Sequence, residues 1–306
     1  MGIRRAQFLL FATMAAKSTS YLFSKIGMDG LPPMELLGIR FLLAALVMGL
    51  LFFRRIVRTD RKTLKAGALA GLFMMLGVAA ELLGLTMVPS STVAFLENTV
   101  VLWVVLMGAL LARKIPGPKL VTSLTFVLVG VAFLTLKGSG MTLSVGELIC
   151  LSASFFFALW IMVTGKYAAK ADPMAFGFIQ MTVIGLLGCA ASLMLEIPAV
   201  PEGPMTWMSL LGLALICTVF SIVGQTMAQK YVSDEETGIY AASVPMMAAL
   251  LGWLFLGETM TALQLLGALF ITASILILQV KDFGNILTRC IFWTKRKYEV
   301  SETGIE

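Results

Sequence analysis

Four charged side chains lie inside long apolar stretches of this 306-residue chain. Two are cations, Lys17 and Arg40, and two are carboxylates, Glu81 and Glu97. A charge at the centre of a membrane helix costs about 2.5 to 3.5 kcal/mol on insertion scales, so charges that persist there are expected to face protein or water and to have partners. The four residues therefore indicate a polar site inside an apolar protein.

Depth in the membrane suggests which chemistry each charge can do. At about 1.5 Å per residue, Arg40, Glu81 and Glu97 lie about 10 Å below the outer boundary, and Lys17 lies about 14 Å below it. Opposite charges at one depth allow pairing, which lowers the insertion cost. Lys17 is a candidate for binding a carboxylate or phosphate. Glu97, with Asn98 beside it, is a candidate proton carrier, and a static ion pair is the alternative.

The remaining candidates are less specific. Glu81 suits substrate or proton binding and a static ion pair equally well. Arg40 stands only a turn or two inside its stretch, so its side chain is expected to reach the outer headgroups. Pro245 can bend its helix as a hinge or as a packing kink. Further candidates carry aromatic, amide or hydroxyl groups, which in membrane helices more often serve packing. They are Tyr21, Trp160, Gln225, Tyr240 and Ser243.

Helices must position these residues. Stretches of about twenty apolar residues take up nearly the whole chain, and each is long enough to cross a bilayer core of about 30 Å. A backbone in lipid must satisfy its own hydrogen bonds, and uniformly apolar runs lack the alternation of a barrel strand. The sequence predicts ten spans at 6–26, 34–53, 66–87, 91–112, 118–136, 144–165, 174–195, 206–228, 236–256 and 262–280.

Composition and loop charges support an integral membrane protein. The chain is 59% hydrophobic and 13% charged, whereas soluble domains average about 25% charged residues. Its net charge of +6 comes from basic residues in alternate loops, such as Arg54 to Lys65, and in the tail 282–306. Both termini are therefore expected to be cytoplasmic. Joints as short as 87–90 leave no room for a catalytic or nucleic-acid-binding module.

Cofactor chemistry is not indicated. The chain has no histidine, so histidine-based acid-base catalysis and the commonest metal ligand are both missing, and we predict no metal, no cofactor and no enzyme activity. The four cysteines, which show no metal spacing and imply no disulfide, are Cys150, Cys189, Cys217 and Cys290.

The second half repeats the first at a shift of about 140 residues. Pro33-Met34 recurs as Pro173-Met174, and Gly84 to Met87 recurs as Gly224 to Met227. Each half has five spans, and a copy that follows an odd number of crossings is upside down. We therefore predict an inverted repeat with halves 1–140 and 141–281, followed by a basic cytoplasmic tail. Such halves can expose a midplane site to either side of the membrane in turn.

The motifs resemble the EamA family of the drug/metabolite transporter superfamily over nearly all of residues 6–280. The carrying segments are Ser18 to Gly27, Leu31-Pro32-Pro33, Arg40-Phe41, and Pro245 to Gly267 with Leu256-Gly257-Glu258. The chain departs from that pattern at Lys17-Ser18, where Trp-Gly is common, and at Ala112-Arg113-Lys114, where Gly-Glu is common. The resemblance implies ten helices, export or exchange of small metabolites, and a central cavity lined by spans one, three and four and their copies six, eight and nine.

We therefore expect a secondary transporter in a bacterial plasma membrane that exports or exchanges a small metabolite by alternating access, with protons as a candidate second partner. A layer of balanced charges with aromatic and amide groups favours an amino acid or similar zwitterion. An anionic metabolite, such as a nucleotide sugar or phosphorylated compound, and a cationic drug are the alternatives within transport. A membrane-embedded enzyme or a receptor would be a different class. Substrate identity and a homodimeric state are left open.

Overall fold

A computed structural model describes residues 2–111, 118–137, 140–141, 143–168, 172–228, 231, 240 and 243–279. Cys290, the loop segment Ala112-Arg113-Lys114 and the predicted tail lie outside these residues. The described part is helical except for loops and a small hairpin, in which β1 (Leu136–Lys137) pairs antiparallel with β2 (Gly140–Met141). The helices are α1 (Ile3–Met28), α2 (Pro33–Ile56), α3 (Arg61–Met87), α4 (Ser90–Glu97), α5 (Val100–Leu111), α6 (Pro118–Thr135), α7 (Val145–Ala168), α8 (Pro173–Leu195), α9 (Gly203–Leu211), α10 (Ser221–Ala228), α11 (Val244–Leu256) and α12 (Ala262–Gln279).

The prediction of an all-α membrane protein is confirmed for the described residues. In the described part, 6 helical stretches are long and apolar enough to cross a membrane, namely Pro33–Ile56, Arg61–Met87, Ser90–Gly108, Val145–Thr164, Pro173–Leu195 and Gly203–Gln225. Shorter apolar helices cover Val121–Phe133, Val244–Leu256 and Ala262–Ser274. The number of crossings, the orientation of the termini and the inverted repeat stay predictions.

Three of the predicted spans depart from a regular α-helix, and the one at 34–53 does so near its end, at Phe52, where the backbone angles are non-helical. The span predicted at 91–112 is interrupted at Asn98 and Thr99, which form a turn between α4 and α5. The span predicted at 206–228 contains a π-helical segment, Gly212–Phe220, which joins α9 to α10. Hydropathy did not predict the last two departures, because the polar run from Glu97 to Thr99 is short and flanked by long apolar runs, and the π-helical segment is itself almost wholly apolar. π-Helical turns and broken membrane helices occur often where backbone or side chains serve a site.

Packing pairs helices of the first half with helices of the second half. α2 packs against α8, α3 against α7, and α6 against α12, while α1 packs against the π-helical segment, α10 and α11. Small residues allow the close approach of α2 and α8, because a Cβ atom added to Gly38 would lie 2.6 Å from the backbone N of Cys189. Ser123 and Ser274 bond reciprocally across α6 and α12, since each hydroxyl donates to the other's carbonyl oxygen at 3.3 and 2.9 Å.

Acidic side chains begin several helices. Asp60 accepts hydrogen bonds from the backbone N–H groups of Lys62 and Thr63, and Asp172 accepts from those of Met174 and Ala175. The hydrogen bond from the Thr63 hydroxyl is the main reason that the pKa of Asp60 lies below its ordinary value. These caps fix where α3 and α8 start, and hence the register of the residues that they carry inward.

Candidate functional site

A cavity of about 280 Å³, lined by several buried side chains, lies between α1, α2, α3, α4, α7 and the π-helical segment, with Val100 of α5 and Val244 of α11 at its wall. It brings together residues that the sequence analysis selected, and they are Lys17, Tyr21, Glu81, Glu97, Asn98 and Trp160. Apolar side chains such as Phe41, Met74 and Phe157 complete the wall. The cavity therefore combines charged groups with aromatic and aliphatic surface.

Glu97 is the last residue of α4, beside the break at Asn98 and Thr99. Only 7% of Glu97 is exposed. Its Oε2 atom accepts a hydrogen bond of 2.8 Å from the Tyr21 hydroxyl, whereas its Oε1 atom is buried with no hydrogen-bond partner among the described residues. A half-satisfied buried carboxylate is a group that can take up a proton or bind a cation.

Glu81 on α3 is the second carboxylate of the cavity, and it is also buried. Among the residues that the structure describes, no Lys or Arg nitrogen lies within 4.0 Å of a carboxylate oxygen of Glu81 or Glu97. The sequence allowed these charges to pair, but within the described residues none of the four makes a direct ion pair with another. The opposite charges share one cavity without neutralising each other through contact.

The cations instead bind neutral acceptors from the second half. The Lys17 ammonium donates to Oε1 of Gln225, which joins α1 to α10. Arg40 donates from Nε to the Thr218 hydroxyl oxygen at 3.1 Å, and its Cζ atom lies 5.1 Å from the centroid of the Phe41 ring. These partners satisfy part of each cation and leave other N–H groups available.

Arg40 corrects the sequence analysis. We expected its side chain to reach the outer headgroups, but Arg40 is only 8% exposed and lines the cavity. Distance from the helix end was the basis of that expectation, and it does not tell which face of α2 carries the residue. The acceptor, Thr218, comes from a π-helical segment that no sequence pattern indicated.

The other predicted residues have different positions. Trp160 lines the cavity, and its Nε1 atom donates to Oε1 of Gln180 at 2.7 Å. Tyr240 packs against a buried cluster that contains Leu10 and Met14, and its carbonyl oxygen accepts from the Ser243 hydroxyl at 2.6 Å. Tyr240 and Ser243 are not among the residues that line the cavity in the described part.

Pro245 lies in the first turn of α11. A proline at the start of a helix removes no intrahelical hydrogen bond, so it does not kink the described helix. Residues 236–239 and 241–242, which precede it in the predicted span, lie outside the described residues. Its role as a hinge stays a prediction.

A second polar junction lies at the predicted outer ends of α1, α4 and α11. Glu258 accepts from Lys25 at 2.7 Å, from the Ser90 backbone N and hydroxyl at 2.9 and 2.8 Å, and from the Ser91 backbone N at 3.3 Å. Partial burial raises the pKa of Glu258, but the hydrogen bonds from Lys25 and Ser90 outweigh burial and hold the pKa below its ordinary value. The junction satisfies backbone N–H groups at the N-terminus of α4, so its role is structural.

Metal chemistry has no evident site here, because no group of three or more His, Cys, Asp or Glu side chains comes together within the described ranges. The features of the site are instead those of a membrane transporter, in which helices from two halves enclose a polar cavity. A family model described as the EamA-like transporter family matches residues 4–136 and residues 144–280. The chain belongs to this family and is an integral membrane transporter.

Individual relatives agree with the family. An uncharacterized transporter from Archaeoglobus fulgidus is 25% identical over 295 residues, which cover 91% of this chain and 98% of the relative. An S-adenosylmethionine/S-adenosylhomocysteine transporter from Chlamydia trachomatis serovar L2 is 25% identical over 302 residues and 92% of each chain. A solved crystal structure with 16% identity covers 94% of this chain and 99% of its own, with a TM-score of 0.66, which shows a shared fold.

Proposed function

We propose that the protein transports an amino acid or an amino-acid derivative in its zwitterionic form, by alternating access between its two halves. The observation that carries this proposal is the cavity in which Lys17 and Arg40 share space with Glu81 and Glu97 without direct ion pairs. Charges that are buried and left unpaired are costly, and a ligand with both charges satisfies them together.

Each half of a zwitterion has matching groups in the cavity. The Oε1 atom of Glu97 and the carboxylate of Glu81 suit a substrate ammonium group, and the cations suit a substrate carboxylate. Phe157 and Trp160 offer apolar surface to the rest of the molecule. A volume of about 280 Å³ is at the lower end for ligand sites, which favours a small metabolite.

The Chlamydia relative supports the same chemical class. S-adenosylmethionine and S-adenosylhomocysteine, which its name gives as substrates, both carry the ammonium and carboxylate groups of an amino acid. With 25% identity, we carry over to this chain only the amino-acid head group and not the adenosyl part.

The alternatives fit the cavity less well. A nucleotide sugar or another phosphorylated anion would face Glu81 and Glu97, which repel it, and a cationic drug would leave Lys17 and Arg40 without an anion. A membrane-embedded enzyme would have to work without histidine, and a receptor has no need of two similar halves.

Movement between the halves is the second part of the proposal. α3 packs on α7 and α1 packs on the π-helical segment and α10, which is the pattern expected when two inverted halves exchange equivalent helices. The turn at Asn98 and Thr99 and the π-helical segment supply irregular backbone beside the cavity. We assign proton coupling to Glu97, because this carboxylate lies next to that turn and accepts a hydrogen bond from Tyr21 of α1.

Uptake into proteoliposomes tests the substrate class. The probes are labelled L-methionine and L-phenylalanine, each compared with its amide, which lacks the carboxylate, and with its decarboxylated amine. The proposal predicts saturable uptake of an amino acid and little uptake of either derivative. Equal uptake of the amine would favour a cation transporter, and uptake of none of them above protein-free vesicles would contradict the proposal.

A further inference from the structure

We infer that Arg40 is the carboxylate-binding residue of the transporter, held in a fixed orientation by Thr218 of the π-helical segment and by the ring of Phe41. This inference rests on the proposed function, because it assigns one part of the zwitterion to one side chain. The sequence analysis had assigned the anion contact to Lys17 alone.

Thr218 orients one edge of the guanidinium group. Its hydroxyl donates to the carbonyl oxygen of Leu213 at 2.8 Å, which leaves a lone pair to accept from Nε of Arg40 at 3.1 Å. Leu213 is five residues before Thr218, and this spacing is that of a π-helix. In an α-helix the hydroxyl would bond to the carbonyl four residues back, so the π-helical segment fixes where the acceptor lies.

Phe41 supports the face of the same group. The Arg40 Cζ atom lies 5.1 Å from the ring centroid, and Phe41 is 1% exposed, so the ring is held by packing. Together the Nε bond and the ring contact restrain both the direction and the tilt of the guanidinium plane. A side chain restrained in this way has lost much of its freedom before the ligand arrives.

The free edge of Arg40 matches a carboxylate. Its Nη atoms make no hydrogen bond to any residue of the described ranges, and the residue lines the cavity. A guanidinium presents its N–H groups as a planar fork that binds both oxygens of a carboxylate. Lys17 is a point charge that already donates to Gln225, so it adds attraction without this geometric selectivity.

Binding of L-methionine, L-phenylalanine and their amides to purified protein tests the inference. Arg40→Lys keeps the charge but removes the fork, and Thr218→Val removes the acceptor without touching Arg40. Thr122→Val is the matched control, because Thr122 does not line the cavity and its hydroxyl donates only to the carbonyl oxygen of Pro118 in its own helix. Losing one partner of a buried charge pair weakens binding by roughly 30-fold or more.

We expect the parent to prefer the better amino acid over its amide by roughly 30-fold or more. Arg40→Lys should lose most of that preference with little change in amide affinity, Thr218→Val should lose part of it, and Thr122→Val should keep it. If Arg40→Lys prefers the amino acid over its amide as strongly as the parent does, the inference is overturned and the zwitterion proposal still stands. If Arg40→Lys does not fold, the inference is overturned when Thr218→Val keeps the parent's full preference for the amino acid over its amide. A parent that binds neither amino acid contradicts the proposed substrate class and the inference together.

Discussion

The Tyr21 hydroxyl donates a hydrogen bond of 2.8 Å to Oε2 of Glu97, and this bond joins α1 to the last residue of α4. The helical path breaks directly after Glu97, at Asn98 and Thr99. Because Oε1 of Glu97 has no partner among the described residues, one side of the carboxylate is satisfied and the other is not. A change in the charge of Glu97 therefore acts at a point where two helices of the cavity meet.

Glu97→Gln should uncouple transport from protons, because an amide cannot take up or release a proton while it can still accept the hydrogen bond from Tyr21. In proteoliposomes with an imposed pH gradient, we expect accumulation by the variant to fall to the level seen without a gradient. Tyr21→Phe is the control, since it keeps the carboxylate and should keep a response to the gradient. If Glu97→Gln accumulates substrate in response to the pH gradient as strongly as the parent does, Glu97 is not the coupling group.

Lys17→Met should weaken amino-acid binding by roughly tenfold or more, because the ammonium adds attraction for the substrate carboxylate. Gln225→Leu is the matched control, since it removes the partner of Lys17 and leaves the charge. Both variants lose the link between α1 and α10, so both should melt at lower temperature, but only Lys17→Met should lose affinity. If a well-folded Lys17→Met protein binds as tightly as the parent, Lys17 serves only the structure.

Glu258→Gln should lower stability by about 1 to 2 kcal/mol at neutral pH, because the carboxylate accepts hydrogen bonds from Lys25, Ser90 and Ser91. The pKa of Glu258 is lowered in the folded protein, so its ionised form stabilises the fold at pH values above the unfolded pKa of about 4.3. That contribution is lost as the pH falls through the folded pKa.

Thermal unfolding in detergent between neutral and acidic pH measures this effect. The difference between the parent and Glu258→Gln should be largest at neutral pH and should disappear in acid. Glu202→Gln is the control, because Glu202 is exposed and its side chain makes no capping hydrogen bond at the start of α9. A difference that grows as the pH falls would contradict the role given to the Glu258 carboxylate.

Cysteine labelling tests the predicted orientation of the helices. Val200 and Arg58 are exposed residues in joints that are predicted to lie on opposite sides of the membrane. In a background without native cysteines, Val200→Cys should react with an impermeant reagent from outside, and Arg58→Cys should react only after the vesicles are opened. Reaction of both from the same side would refute the inverted repeat.

Apolar length and composition allowed the helices to be predicted well, because a membrane helix needs a long apolar run and little else. The span predicted to begin at 174 starts within one residue of α8, whereas α3 begins at Arg61, five residues before the span predicted at 66, because Asp60 caps it there. The turn after Glu97 and the π-helical segment could not be predicted, because a short polar run, Glu97 to Thr99, and a single glycine, Gly212, are equally compatible with a continuous membrane helix.

The candidate site was predicted in its composition but not in its pairing. Charge at depth identified Lys17, Glu81 and Glu97, because such residues are costly and rarely occur without a reason. The partners come from residues far apart in the chain, such as Gln225 for Lys17 and Thr218 for Arg40, and only tertiary packing brings them together. Depth alone also could not tell that Arg40 faces the cavity rather than the headgroups.

Counterflow in proteoliposomes tests the central claim most directly, because it requires a site that binds the substrate and opens to each side in turn. Vesicles that contain the protein are loaded with unlabelled L-methionine or L-phenylalanine and diluted into a trace of the labelled form. An alternating-access transporter of amino acids predicts a transient accumulation of label above the equilibrium level for at least one of the two, and none with the matching amide. Absence of this accumulation for both amino acids, in protein that is folded and inserted, would contradict the claim.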